Sequence, residues 1–211
     1  QFTPISHLGK IKQTTNELES PYTHFDWKTI IPHLKAQNFD ADAGQIARVA
    51  NAAGQPVIIA GLGKNVGGDS EDVVTISTVR KSIKSIASAA RKLKLPNLQL
   101  QLPSSEQVLT HDIVFPGFGN GFNFKSENVP KIDQGHLIDQ ITRTVISANY
   151  NFDQYFTLET RQKKFYYLQQ LALIPPVSTK DQTSLDRQTI HRSVPLAESE
   201  TFAKELGSTR S

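Results

Sequence analysis

The chain has 211 residues, 37% hydrophobic and 20% charged, which suits one folded domain with an extension. It has no cysteine, so a disulfide framework and a thiolate metal site are excluded and a reducing compartment is favoured. A formal net charge of +3 is too mild for a dedicated nucleic-acid binder, and no apolar run is long enough to span a bilayer. There is no secretory signal pattern, and with Gln1 first and no methionine anywhere a processed start is expected. Those features are compatible with the cytoplasm or the mitochondrial matrix rather than with secretion.

In chain order, residues 1–24 are mixed and polar and are interrupted by Pro4 and Pro21. Phe25 to Leu34 reads as a short helix limited by Pro32. Asp40 to Gln55 reads as a turn with a short strand, and "PVIIAGLG" as a buried strand ending in glycines. A long helix follows, because Ile76, Val79, Ile83, Ile86, Ala90 and Leu93 fall three or four residues apart and draw one apolar stripe. Ser70 is its expected N-cap, with Glu71 and Asp72 in the first turn, and Pro96 its stop. "NLQLQLP" alternates as a half-buried strand does, so strand, helix and strand suggest a parallel crossover.

Ser104 to Gln134 is loop-like around Gly117, Gly119 and Gly121. A second helix is predicted from Gln134 to Tyr150, with Leu137, Ile138, Ile141 and Val145 on one face. Lys163 to Ile174 reads as a further strand, the stretch from Pro175 to Gln188 as a linker, and Val194 to Leu206 as an amphipathic helix. The expected divisions are therefore an N-terminal extension (1–24), an α/β domain (25–176), and a linker with a connecting helix (177–211) that leads towards something further.

The glycine-rich turn at Gly61 to Lys64 invites a phosphate-binding reading, and both stringent patterns fail there. A Walker loop needs a glycine at Ile58 and Ser or Thr at Asn65; a dinucleotide fingerprint needs a glycine at Val66. "GFGNGF" fails the same way at Phe122. A looser nest of backbone amides is the remaining phosphate reading, weighed against a plain strand-to-helix turn.

His7, His24, His33, His111, His136 and His191 include no pair at metal-binding helical spacing, and no serine lies in a nucleophile elbow. Glu71-Asp72 and Asp40/Asp42 fit capping and solvation. Arg80, Lys81, Lys84, Arg91 and Lys92 give the long helix a basic face without interleaved aromatics, which reads as a solvated surface. Tyr150 to Phe156 reads as an aromatic cluster in a core or an interface. Composition and spacing thus give an α/β domain, with no residue assigned to catalysis, to cofactor binding or to a metal.

The order of these segments resembles the N-terminal domain of the leucine aminopeptidase, or cytosol aminopeptidase, family. The matching pieces are the strand ending at Gly61-Leu62-Gly63-Lys64, a helix with Arg80-Lys81 and Ala89-Ala90, and a strand ending at Leu102-Pro103. A Tyr-x-Phe-Asp-x-Tyr segment follows at Tyr150, Phe152, Asp153 and Tyr155. The closing segment resembles the family's connecting helix, with Lys204 and Ser208 standing where an arginine and an asparagine are usual. The resemblance covers roughly residues 25 to 211, with 110–134 as an insertion and 1–24 unmatched.

The resemblance implies a macro-domain-like mixed sheet flanked by helices and followed by a linker helix. It also implies a separate catalytic domain with two divalent metals, zinc or manganese, and a bicarbonate, removing N-terminal residues from peptides within a homo-hexamer. The metal-binding signature is absent from these residues, so the expected role here is oligomer assembly and control of access. The alternatives are an inactive aminopeptidase-like subunit of a larger assembly, mitochondrial for example, and a macro-type module that binds a phosphate or nucleic acid near Gly61 to Gly68. Nucleic acid and membrane are not expected partners.

Overall fold

A computed structural model describes residues 27–51, 54–64, 73–110, 130–150, 157, 159–160, 166–174, 176 and 180–208. The fold is mixed α/β. Its helices are α1 (Trp27–Ala36), α2 (Ile76–Lys92), α3 (Gln134–Asn149) and α4 (Lys180–Ser208). Its strands are β1 (Ile46–Ala50), β2 (Pro56–Ala60), β3 (Val74–Thr75), β4 (Asn97–Gln101), β5 (Val108–Leu109) and β6 (Gln170–Ile174), and a 3-10 turn covers Ser105–Gln107.

The strands pair two by two. β1 and β2 form an antiparallel hairpin with Ile46 opposite Ala60 and Ala50 opposite Pro56. β3 runs parallel to β5, and β4 runs parallel to β6 with Asn97 opposite Gln170 and Gln101 opposite Ile174. The parallel neighbour of β4 is thus β6, with α3 between them in sequence, whereas β2 pairs with β1. Closing a short hairpin costs little chain entropy. The Asn51 amide reinforces it, donating to Gln55 Oε1 at 2.8 Å while its Oδ1 accepts from the Gln55 N–H at 2.8 Å.

Helix α2 organises the main core. Val79, Ile83, Ile86 and Ala90 of its predicted stripe are buried, with Ala87 beside them. They meet Leu98 and Leu100 of β4, Val108 of β5, and Leu137, Ile138, Ile141 and Val145 of α3. A smaller cluster of Ile30, Leu34, Phe39, Ala41 and Ala47 seats α1 against β1. α1 runs past Pro32 to Ala36. The proline supplies no N–H to the helix, and burial of Ile30 and Leu34 on either side offsets that loss.

Three boundaries differ from the sequence reading, each for a local reason. α2 is capped by Thr75, whose hydroxyl accepts from the Thr78 N–H at 3.4 Å, because Val74 and Thr75 are still extended in a pair with Val108 and Leu109. The expected capping residues Ser70, Glu71 and Asp72 lie outside the described residues. β6 begins at Gln170, since the Leu168 N–H and C=O are taken by the Asn149 side chain at 2.8 and 3.1 Å. The stretch read as a linker is helical from Lys180 onward. The aromatic cluster beyond Tyr150, the Gly117 to Gly121 loop and the 1–24 extension lie outside the described residues.

Ile141 is fully buried between α2 and α3. Ile141→Ala is expected to cost about 2–5 kcal/mol, read as a lower urea midpoint with an unchanged slope.

Candidate functional site

The glycine turn is a segment that the sequence offered for ligand chemistry, and the amides of Gly61 and Gly63 are already committed. Beyond β2 the chain continues beside residues 41–45. The Gly61 N–H donates to the Gln45 carbonyl at 2.9 Å, the Gly44 N–H to the Gly61 carbonyl at 3.0 Å, and the Gly63 N–H to the Ala41 carbonyl at 2.9 Å. The amides of Gly61 and Gly63, which a phosphate would need, therefore belong to the turn opposite.

The approach of the two segments explains the glycines. A Cβ on Gly61 would lie 2.3 Å from the backbone carbon of Ala41, which no side chain tolerates. Gly63 has φ of +86°, in the region that favours glycine.

Ser82 ties this turn to α2. Its hydroxyl is fully buried, accepts from the Gly44 N–H at 3.1 Å, and is close enough to donate to the Gly61 carbonyl and, at 2.9 Å, to the Thr78 carbonyl. One side chain thus joins α2, the end of β2 and the 41–45 turn. A single proton serves both carbonyl contacts, so the hydroxyl is saturated and has no free donor for a ligand. Ser82 was visible in the sequence only as a polar residue on the apolar stripe, between Val79 and Ile83.

The basic face divides in two. Arg80, Lys81, Lys84 and Lys92 are exposed, as expected of a solvated helix surface. Arg91 is not part of it. Its Nη1 donates to the Ala148 carbonyl at 2.5 Å and its Nε to the Tyr166 carbonyl at 2.9 Å, with its guanidinium 6.0 Å from the centre of the Tyr167 ring. A cation therefore satisfies an orphan carbonyl in the last turn of α3. Planar donor geometry suits this double contact, and lysine would not replace it.

His33, His136 and His191 are exposed on three different helices, and His7, His24 and His111 lie outside the described residues. Asp40 and Asp42 are exposed, and their backbone amides donate to Gln45 Oε1 at 2.8 and 3.3 Å, which makes them parts of a turn. Among the described residues no three His, Asp or Glu side chains converge to hold a metal ion, so they do not fit the two-metal centre that the resemblance implies. No described helix is long and apolar enough to cross a membrane.

Ser82→Ala removes the hydroxyl that joins α2 to the Gly44 N–H and the Gly61 carbonyl, leaves those two bonded only to each other, and is expected to cost about 0.5–1.5 kcal/mol in chemical denaturation. Gly61→Ala is expected to be worse, with selective shifts of the 41–45 amides in a heteronuclear NMR spectrum.

No family model matches the sequence, and no curated protein matches it. The fold is shared with solved structures. The bottromycin maturation enzyme BotP in complex with manganese aligns with a TM-score of 0.53 at 16% identity, over 82% of this chain and 28% of that chain. A second structure of BotP aligns equally well, with a TM-score of 0.53 at 16% identity. A tomato leucine aminopeptidase variant aligns with a TM-score of 0.47 at 12% identity, over 78% of this chain and 26% of that one. This chain therefore spans little more than a quarter of the length of the structures it resembles.

Proposed function

We propose that these residues form the non-catalytic α/β portion of a leucyl aminopeptidase-type metallo-exopeptidase, serving assembly and access to the active sites. The observation that carries this reading is the likeness to BotP, which takes in 82% of this chain and only 28% of that one. A catalytic portion would then lie elsewhere in the polypeptide, would hold two divalent metals, and would release N-terminal residues from peptides. Metal-bound water is the nucleophile that such a centre supplies. A homo-hexamer in the cytoplasm or mitochondrial matrix completes the proposal.

The local geometry sharpens the division of labour. No described cluster can hold the metals, and the described helices and strands are tied to one another by buried apolar faces and by Ser82 and Arg91. The Gly61 and Gly63 amides are consumed by residues 41–45, so the phosphate-module reading falls on residues 65–68, which lie outside the described residues.

The test is made on native protein captured with an antibody to this chain. An intact mass more than twice 23.4 kDa, about two metals per chain and hydrolysis of a leucyl anilide lost on chelation are the expected results. A native chain of about 23.4 kDa with no hydrolysis would replace this reading with that of an inactive structural subunit.

A further inference from the structure

Helix α4 is attached differently from the rest of the fold. Along the side that meets α3, its buried residues are Asp186, Ser193 and Ala197, polar or small. Ser193 donates to Asp139 Oδ1 at 2.7 Å, and Glu200 pairs with Arg143. The α3 surface opposite is polar as well. Gly135 faces Thr189, whose Oγ1 would lie 3.5 Å from a Cβ there, and Asp139 and Arg143 follow one helical turn apart. Of the described α4 side chains, only Ile190 packs against the main core, and it does so partly buried.

Two large apolar residues of α4 flank its buried side in the open, while Ile190 and Val194 are half-buried. Leu185 and Leu196 are 55% and 53% exposed, and no other large hydrophobic residue among the described ones is as open. Pro195 also stands inside the helix and removes one of its backbone hydrogen bonds, to the carbonyl of His191. A helix that buries its polar side and shows its leucines gains little hydrophobic energy from docking. Its ion pair is half exposed, and such pairs add little to stability.

We infer that α4 is a separable strap, which leaves α3 as a unit while the α2–α3 core and the strand pairs remain folded. The main core is built almost entirely from the other elements, with Ile190 as the described apolar residue of α4 packed against it. The buried residues of α3 are Leu137, Ile138, Ile141, Thr142, Val145 and Ala148, whereas its contacts with α4 include a glycine, a carboxylate and a guanidinium, which water solvates readily. Opening is therefore sub-global, at a free energy well below that of complete unfolding. In the open state Asp139 and Arg143 become accessible on α3, and the outward leucines of α4 move away with the strap.

Hydrogen exchange followed by mass spectrometry on the full chain tests this. Amides of α4 between Ile190 and Thr201 are expected to be about a hundredfold less protected than those of α2 and α3, as befits a low-stability cooperative unit. Raising salt to 0.5 M should lower α4 protection further, because the Arg143–Glu200 pair is screened. Asp139→Ala should reduce α4 protection about tenfold by removing the charged acceptor that holds Ser193 to α3 and leaving its hydroxyl only the Thr189 carbonyl of α4 itself, and leave α2 unchanged. Val145→Ala is the contrast: it should weaken α2 and α3 together. Equal protection of α3 and α4, or an Asp139→Ala effect spread evenly over all helices, would overturn the inference, because α4 would then be part of one cooperative unit.

Discussion

Burial of one face of α2 is the constraint on which the described fold rests. The stripe from Val79 to Ala90 is covered on one side by the strands and on the other by α3, and no other described helix touches both. The stripe is interrupted once, by Ser82, and that interruption is where the hairpin is held. Its hydroxyl reaches the Thr78 carbonyl of its own helix and also meets the carbonyl of Gly61 and the N–H of Gly44. The close backbone approach of Gly61 to Ala41 leaves no room for a side chain there.

This arrangement turns a segment with the look of a ligand loop into a structural joint. Glycines between a strand and a helix serve phosphates when their amides point outward at a helix N-terminus. Here the amides of Gly61 and Gly63 point at the 41–45 turn, and the helix begins at Ile76 after a further stretch of strand. Thr75 and not an anion satisfies the first turn of α2. The same economy governs the other end, where Arg91 spends its charge on two carbonyls of the protein itself.

Much of this was legible in the sequence where periodicity governs. The stripe of α2, the face of α3 and the alternation of β4 each depend on local spacing, and each stands where the pattern put it. What periodicity does not carry is the identity of a partner. Pairing of β2 with β1, and of β4 with β6, depends on which chain segments meet, and a hairpin competes well against a crossover. Arg91 read as one cation among five because its distinguishing feature is the set of carbonyls around it, supplied by Ala148 and Tyr166. The start of β6 was misjudged for a related reason: the backbone of Leu168 is occupied by the Asn149 side chain, and nothing in the run of aromatic residues records that. The helical state of the segment after Lys180 was hidden by its polar composition, and it is that composition which makes the contact with α3 a polar one.

Arg91 also sets an order of events. Its two acceptors stand 57 and 75 residues further along the chain. During synthesis α2 can form early, since its stripe and its N-cap are local, but the guanidinium at its far end stays solvated until the chain through Tyr166 has emerged. Domains assemble as their segments leave the ribosome, so the last turn of α3 and the approach to β6 are drawn onto a helix that is already waiting. One planar group thus acts as a late latch, closing only after two distant stretches of the polypeptide have been made.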